Sequence, residues 1–463
     1  MPGAYPAGGG KSRGLAREPC AGAGDTYNPP AEDGRPTGAP DHTALDFAGG
    51  FRYIAAASGG TGPPDALRKP ALSQPPPAAD GIHAMVPREK MSGPARKLRD
   101  TYARVPGALL FRREFGFYVM DKWKRQGQVP QDVTDGQLRE LFLYDPPGDH
   151  GLWGLGWCEA AFAPEFEVKV LEPRGEHELV QDRAGRKVLC FKGRRSGFMP
   201  EYLDHPVKDQ RTWEENVKWR MDPGSPGRYA KLAEELGAAK AAAAQGLIVK
   251  QHVIGGYMYL RSLIGPEQLF YAVYDMPEVL HDCMRAWLAL ADAVSERHQA
   301  GVTFDELFFG EDICYNHGLL ISPEMVREFI FPYYQQLIAN IRARQLDRSR
   351  HLFVQVDTDG DCRPAIPLYR EAIGMDVMSP FEVASGCDVV EIGRRHPELV
   401  MFGGIDKRVL ASGRAAIDRE LGRILPAMRA RGGYIPTCDH GVPEEVPFED
   451  YLYYRRRCVE LGS

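Results

Sequence analysis

Nowhere in its 463 residues does the chain run for about 18 apolar positions without interruption, so no segment is a candidate membrane span. Its nine cysteines form no Cys-x-x-Cys pair, which argues against a disulfide framework and for a reducing compartment. Basic charge is not in excess. The net charge of −6 speaks against the basic stripe of a nucleic-acid binder. No Gly-x-Gly-x-x-Gly follows an early strand-like run, so the dinucleotide fingerprint is missing. The opening MPGAYPAGGGKSRG lacks the apolar core of a secretory signal. These absences lead to the expectation of a soluble cytoplasmic protein that works on a small molecule, with neither nucleic acid nor membrane as partner.

What is present falls into two textures. Residues 1–90 are rich in Pro, Gly and Ala and poor in aliphatic side chains. Such a segment buries too little apolar surface to offset its ordering entropy, so disorder is expected there. Met85 and Met91 are each candidates for the true start, and the remaining 91–463 are expected to be one domain. From about residue 96, strand-like and helical runs alternate. Six strands are expected, at 246–253, 304–312, 351–356, 375–380, 399–406 and 434–438, mostly with helices between them. One long helical stretch is expected from Pro266 to about Ala300. Ser322 should cap another helix, which Pro332 should kink or split. The rhythm implies parallel strands with right-handed crossovers. It fits an eight-stranded barrel and an open doubly wound sheet equally well. An inserted antiparallel hairpin is expected across 166–193, where apolar and polar residues alternate around Gly and Asp turns.

Polar groups gather just past the strand ends: His252, Glu311 and Asp312, Asp357 with Asp359 and Asp361, Glu382, Asp406, and Asp439 with His440. In a parallel α/β fold these ends share one side of the sheet, so the set should converge on one pocket. For any single acid, a helix N-cap or an Asx-turn explains the position as well. VQVDTDGD (354–361) resembles a haloacid-dehalogenase phosphatase loop, but Asp361 stands where its Thr belongs. Nor is it an EF-hand, since Leu368 would occupy the twelfth loop position.

Three stretches carry a family resemblance: DHGVPEEVPFEDYLYY, GGIDKRVLASG and SPEMVREFIFPYY. Together they make the chain, from about Val105 to Leu461, similar to the uroporphyrinogen decarboxylase superfamily. The resemblance implies a (β/α)8 TIM barrel. It also implies either a decarboxylase, which needs no cofactor, or a zinc-dependent methyltransferase that takes a methyl group from a corrinoid, with a corrinoid protein as its partner. Family decarboxylases are dimers. His440-Gly441 matches the Gly-His-Gly turn of the decarboxylases. Their Arg-rich motif has no counterpart in residues 105–127, Glu159 is the sole substitute for their acidic residue, and Arg261 falls where they have a tyrosine. The methyltransferases place His-x-Cys-Gly and a later Cys where this chain has Asp357-Thr358-Asp359-Gly360 and His440. The resemblance therefore suggests His440, Asp359 and Glu311 as catalytic residues. Asp312, Glu382, Asp406, Arg261 and His252 would bind substrate. A divalent metal would sit on Asp357, Asp359 and His440, with Cys438 and Glu382 near it. Three functions follow: a decarboxylase for a tetrapyrrole or related carboxylated substrate, a metal-dependent corrinoid methyltransferase or demethylase, and a non-catalytic tetrapyrrole- or partner-binding barrel.

Overall fold

The computed structural model describes residues 85–193 and 200–463. The expected disorder of residues 1–84 lies outside the described residues. Ordered structure begins earlier than residue 91: Arg88–Lys90 forms a 3-10 turn, and Arg88 pairs with Asp100 at 2.6 Å.

The described strands, in chain order, are β1 Asp149–Leu152, β2 Lys169–Arg174, β3 His177–Gln181, β4 Lys187–Phe191, β5 Glu201–Asp204, β6 Ile248–Ile254, β7 Glu306–Gly310, β8 Cys314–Tyr315, β9 Gly318–Leu319, β10 Phe353–Asp357, β11 Val377–Ser379, β12 Val400–Phe402 and β13 Tyr434–Ile435. Seven of them form one curled parallel sheet in the order β1-β6-β7-β10-β11-β12-β13. All six strands expected from the sequence are in it. Their β-branched and aromatic runs are buried on both faces, as strands covered by crossover helices must be. The seventh, β1, reads Asp-His-Gly-Leu and carries no such run. It joins the sheet by pairing with β6, Asp149 opposite Ile248.

The two edges, β1 and β13, do not pair with each other among the described residues. Extended chain around 107–118 runs between them. Arg113 reaches Asp149 of β1 at 3.0 Å, and the Glu114 carboxylate accepts the Cys438 N–H, just past β13, at 2.7 Å. The fold is thus α/β with a seven-stranded parallel sheet. The expected hairpin is a larger unit, a four-stranded antiparallel sheet β2-β3-β4-β5.

Local chemistry sets the helix ends. The Ser322 hydroxyl accepts the Met325 N–H, and Pro332 lies in the first turn of a new helix, Phe331–Arg344, so the stretch splits. The long helix expected from Pro266 is likewise two, Pro266–Asp275 and Pro277–Gln299. Pro277 cannot donate to the preceding turn, and Met276 leaves the helical region at φ −144° and ψ 53°. No helix among the described residues is long and apolar enough to cross a membrane.

At the N-terminal ends of the strands lies a buried ionic layer. Lys250 of β6 is 3.2 Å from Glu306 of β7 and 3.1 Å from Asp149 of β1, and the Tyr102 hydroxyl donates to Glu306. The side chains of helix Gly93–Tyr102 and Phe111 pack around this layer with Phe402 and Ile435.

Candidate active site at the C-terminal strand ends

β10 delivers Asp357 to its C-terminal end, and the loop that follows is tightly held. The Thr358 N–H donates to the Ser379 carbonyl at 3.0 Å. Gly360, at φ 76°, has Tyr315 backbone 2.6 Å from where a Cβ would stand, so only glycine fits this turn. Its N–H donates to Glu382 at 3.0 Å, and the other Glu382 oxygen holds Lys407 at 3.1 Å. Asp439 is fully buried and accepts the Val383 and Lys407 N–H groups, so it splices together the loops that follow β11 and β12.

His440 stands beside this loop. Its Nε2 is 3.4 Å from Asp359 Oδ2, and its Nδ1 is 3.0 Å from the Tyr118 hydroxyl. Tyr118 also stacks on the imidazole, with ring centroids 5.6 Å apart, and Phe115 flanks it at 5.0 Å. Burial alone would push the imidazole down, but the Asp359 carboxylate more than offsets this and holds it above its ordinary value. Asp357 behaves differently. Burial, with Asp359 and Asp312 nearby, pushes it up to about 7 despite a hydrogen bond donated by Ser379.

An aromatic wall adjoins these acids. Trp153 stacks on His252 at 3.8 Å and nearly parallel. Trp157 stacks on Phe308 at 5.4 Å. Trp157 also lies over Gly310, 3.5 Å from where its Cβ would be, and Gly310 is the register partner of Asp357. The wall and Asp357 are therefore neighbours across a single strand spacing.

Of the residues singled out from the sequence, Asp357, Asp359, Glu382 and His440 come together. Asp312 and Arg261 join them as an ion pair at 2.6 Å, with Asp312 raised by burial and by Asp359. Others are placed differently. Glu311 does not open on the site. It is fully buried, accepting the Tyr257 N–H at 2.9 Å and the Tyr334 hydroxyl at the start of helix Gly256–Ile264, and burial pushes it up to about 7. Asp406 is taken by Arg408 in its own turn at 2.8 Å. His252 is part of the wall, and burial drives it down to about 3, so it stays neutral. Glu159 is engaged by Arg183 at 2.5 Å. Cys438 is buried, with its thiol pushed well above the ordinary range by burial.

The proposed metal ligands do not fit a metal as placed. Among the described residues, no three His, Cys, Asp or Glu side chains are grouped to hold an ion. Asp357 is turned to the Ser379 hydroxyl, and Asp359 to His440.

Sequence reasoning missed Lys407, Tyr118, Trp153, Trp157 and Ser379. Lys407 directly follows the strand-end motif GGID, which was the available signal. Tyr118 comes from a segment 322 residues away and had none.

Asp357→Asn tests the raised carboxyl directly. In the unfolded chain Asp357 ionises near 3.8, but in the fold near 7, so the wild type loses stability as pH rises between those values. Asparagine keeps the neutral form. Thermal melts should show equal stability below about pH 4 and a gain of roughly 2–4 kcal/mol for the variant at pH 8. A variant less stable than wild type at pH 8 contradicts the assignment.

The family model described as Uroporphyrinogen decarboxylase (URO-D) matches residues 204–456, more than half of the chain, and begins well after Val105. No curated protein sequence matches significantly. Among solved structures, a methyltransferase from Methanosarcina mazei aligns with a TM-score of 0.50 and 12% identity, over 80% of this chain and 99% of that one. At that identity the likeness concerns the fold alone. Two others align more loosely. A Bacteroidetes-affiliated GH5 cellulase has TM-score 0.33 and 13% identity, over 52% of this chain and 75% of that one. A putative vitamin-B12 independent methionine synthase from Listeria monocytogenes has TM-score 0.26 and 16% identity, over 49% of this chain and 68% of that one.

Proposed function

The chain belongs to the uroporphyrinogen decarboxylase family, and we propose that it is a decarboxylase-type acid–base enzyme acting on a carboxylated ring compound. The supporting observation is His440, held between Asp359 and Tyr118 beside the raised carboxyl of Asp357. In this reading the sheet is a (β/α)8 barrel, with the extended segment 107–118 in the eighth place. The His440 imidazolium, held by Asp359, first gives its proton to the ring carbon that bears the carboxylate, and positive charge develops on the ring. The scissile C–C bond then breaks, CO2 leaves, its electron pair returns the ring to neutrality, and His440 is reprotonated from solvent. Asp357 lies where it can stabilise positive charge developing on the ring.

Uroporphyrinogen itself is a poor match. Its many carboxylates would face Asp312, Asp357, Asp359 and Glu382. The nearby cations Arg261 and Lys407 are already paired with Asp312 and Glu382. The proposal includes a cytoplasmic homodimer that needs no cofactor. The test is CO2 release and solvent-deuterium incorporation over a panel of carboxylated pyrroles and other nitrogen heterocycles, with His440→Gln as control. Release with deuterium at the vacated carbon, lost in His440→Gln, supports the reading. Methyl transfer from a methyl-corrinoid, dependent on a divalent metal and with no CO2 release, overturns it. So does the absence of turnover of either kind, which would leave a binding barrel.

A further inference from the structure

We propose that the substrate of this site carries an organic cation, a protonated or alkylated nitrogen on or next to its ring, seated between the outer faces of Trp153 and Trp157 and the carboxylate of Asp357. The inference rests on the mouth being the substrate site and adds the chemical class that it selects. Trp153 and Trp157 each stack one face inward, on His252 and Phe308, yet remain 50% and 41% exposed. The two indoles also meet each other edge to face at 6.0 Å, and the ring surface they leave exposed presents negative quadrupole, which attracts a cation more strongly than a neutral group. Trp157 lies over Gly310, the strand neighbour of Asp357, so the indole and the carboxyl stand on adjacent strands, and the proposed nitrogen centre would sit against both.

A second observation points the same way. Gln355, in register with Phe308 on β10, is only 3% exposed. Its amide nitrogen donates to Ser379, which in turn donates to Asp357. Its carbonyl oxygen Oε1 is buried without a partner. A buried acceptor left open calls for a donor, which a protonated nitrogen supplies. Apart from His440, which Asp359 and Tyr118 hold, the polar lining is rich in acceptors, since Arg261 and Lys407 are already paired. An aromatic wall by itself would take any flat ring. An acceptor-rich lining beside it selects for positive charge.

The experiment measures binding by titration calorimetry with benzyltrimethylammonium, its neutral carbon isostere neopentylbenzene, and benzoate. The cation is expected to bind about tenfold or more tightly than the isostere, with benzoate weakest. Trp157→Leu and Asp357→Asn should each weaken cation binding about tenfold and leave isostere binding less affected. Trp153→Leu serves as a second wall variant should Trp157→Leu fold poorly. Equal binding of cation and isostere, or preference for benzoate, overturns the inference. That failure is separable from failure of the decarboxylase reading. CO2 release lost in His440→Gln without cation preference sinks the substrate class alone. Cation preference without CO2 release keeps the substrate class and sinks the reaction.

Discussion

His440→Gln is expected to lower turnover by about 10²–10⁴-fold, the range of positioned general acid–base catalysis. Glutamine preserves much of the side chain's reach and can still hydrogen-bond Asp359 and Tyr118, but it cannot carry a proton at neutral pH. The loss should appear in kcat more than in KM, because the group works on the transition state and contributes little to holding the ground state. Solvent-deuterium incorporation at the vacated carbon should fall in step. A variant that retains more than about a third of wild-type turnover would remove His440 from the chemistry and shift proton delivery to another group.

Lys250→Met is expected to destabilise the fold by about 3–5 kcal/mol, the cost of leaving a buried charge without its partner. Lys250 is 6% exposed and lies between Glu306 and Asp149. Burial pushes the Glu306 carboxyl up, and Lys250 and the Tyr102 hydroxyl hold it back. Asp149 keeps Arg113 in the variant, so the orphan is Glu306. Adding Glu306→Gln should therefore recover much of the loss, and a double-mutant cycle in urea measures the coupling. Equal destabilisation in the single and double variants contradicts this account of the ionic layer.

The parts of this molecule legible from sequence share one property: burial imprints itself on a run of residues. FVQV before Asp357 and VMF before Gly403 announce strands because both faces of the sheet are covered. β1 escaped because its four residues carry mixed chemistry and gain strand geometry only from β6. The site was half legible for a related reason. Position after a strand end puts a residue near the mouth, but the direction of its side chain depends on the next turn of the chain. Glu311 and Asp312 show this. They are adjacent in sequence, yet one caps a helix behind the sheet while the other pairs with Arg261 at the mouth, in a turn where Asp312 takes φ 46°. Asp406 and Asp439 follow the bland rule that an acid after a strand ties down backbone or a neighbouring arginine. Tyr118, Trp153 and Trp157 were out of reach because they arrive from the N-terminal part of the chain, where nothing local signals proximity to His440 or Asp357.

The account turns on His440 holding its proton more firmly than an ordinary imidazole because Asp359 stands beside it. Histidine NMR titration of wild type and Asp359→Asn measures this directly. The account expects the His440 resonance to titrate above the ordinary imidazole value in the wild type and to fall clearly in the variant. A wild-type value at or below the ordinary one, unmoved by Asp359→Asn, would contradict it.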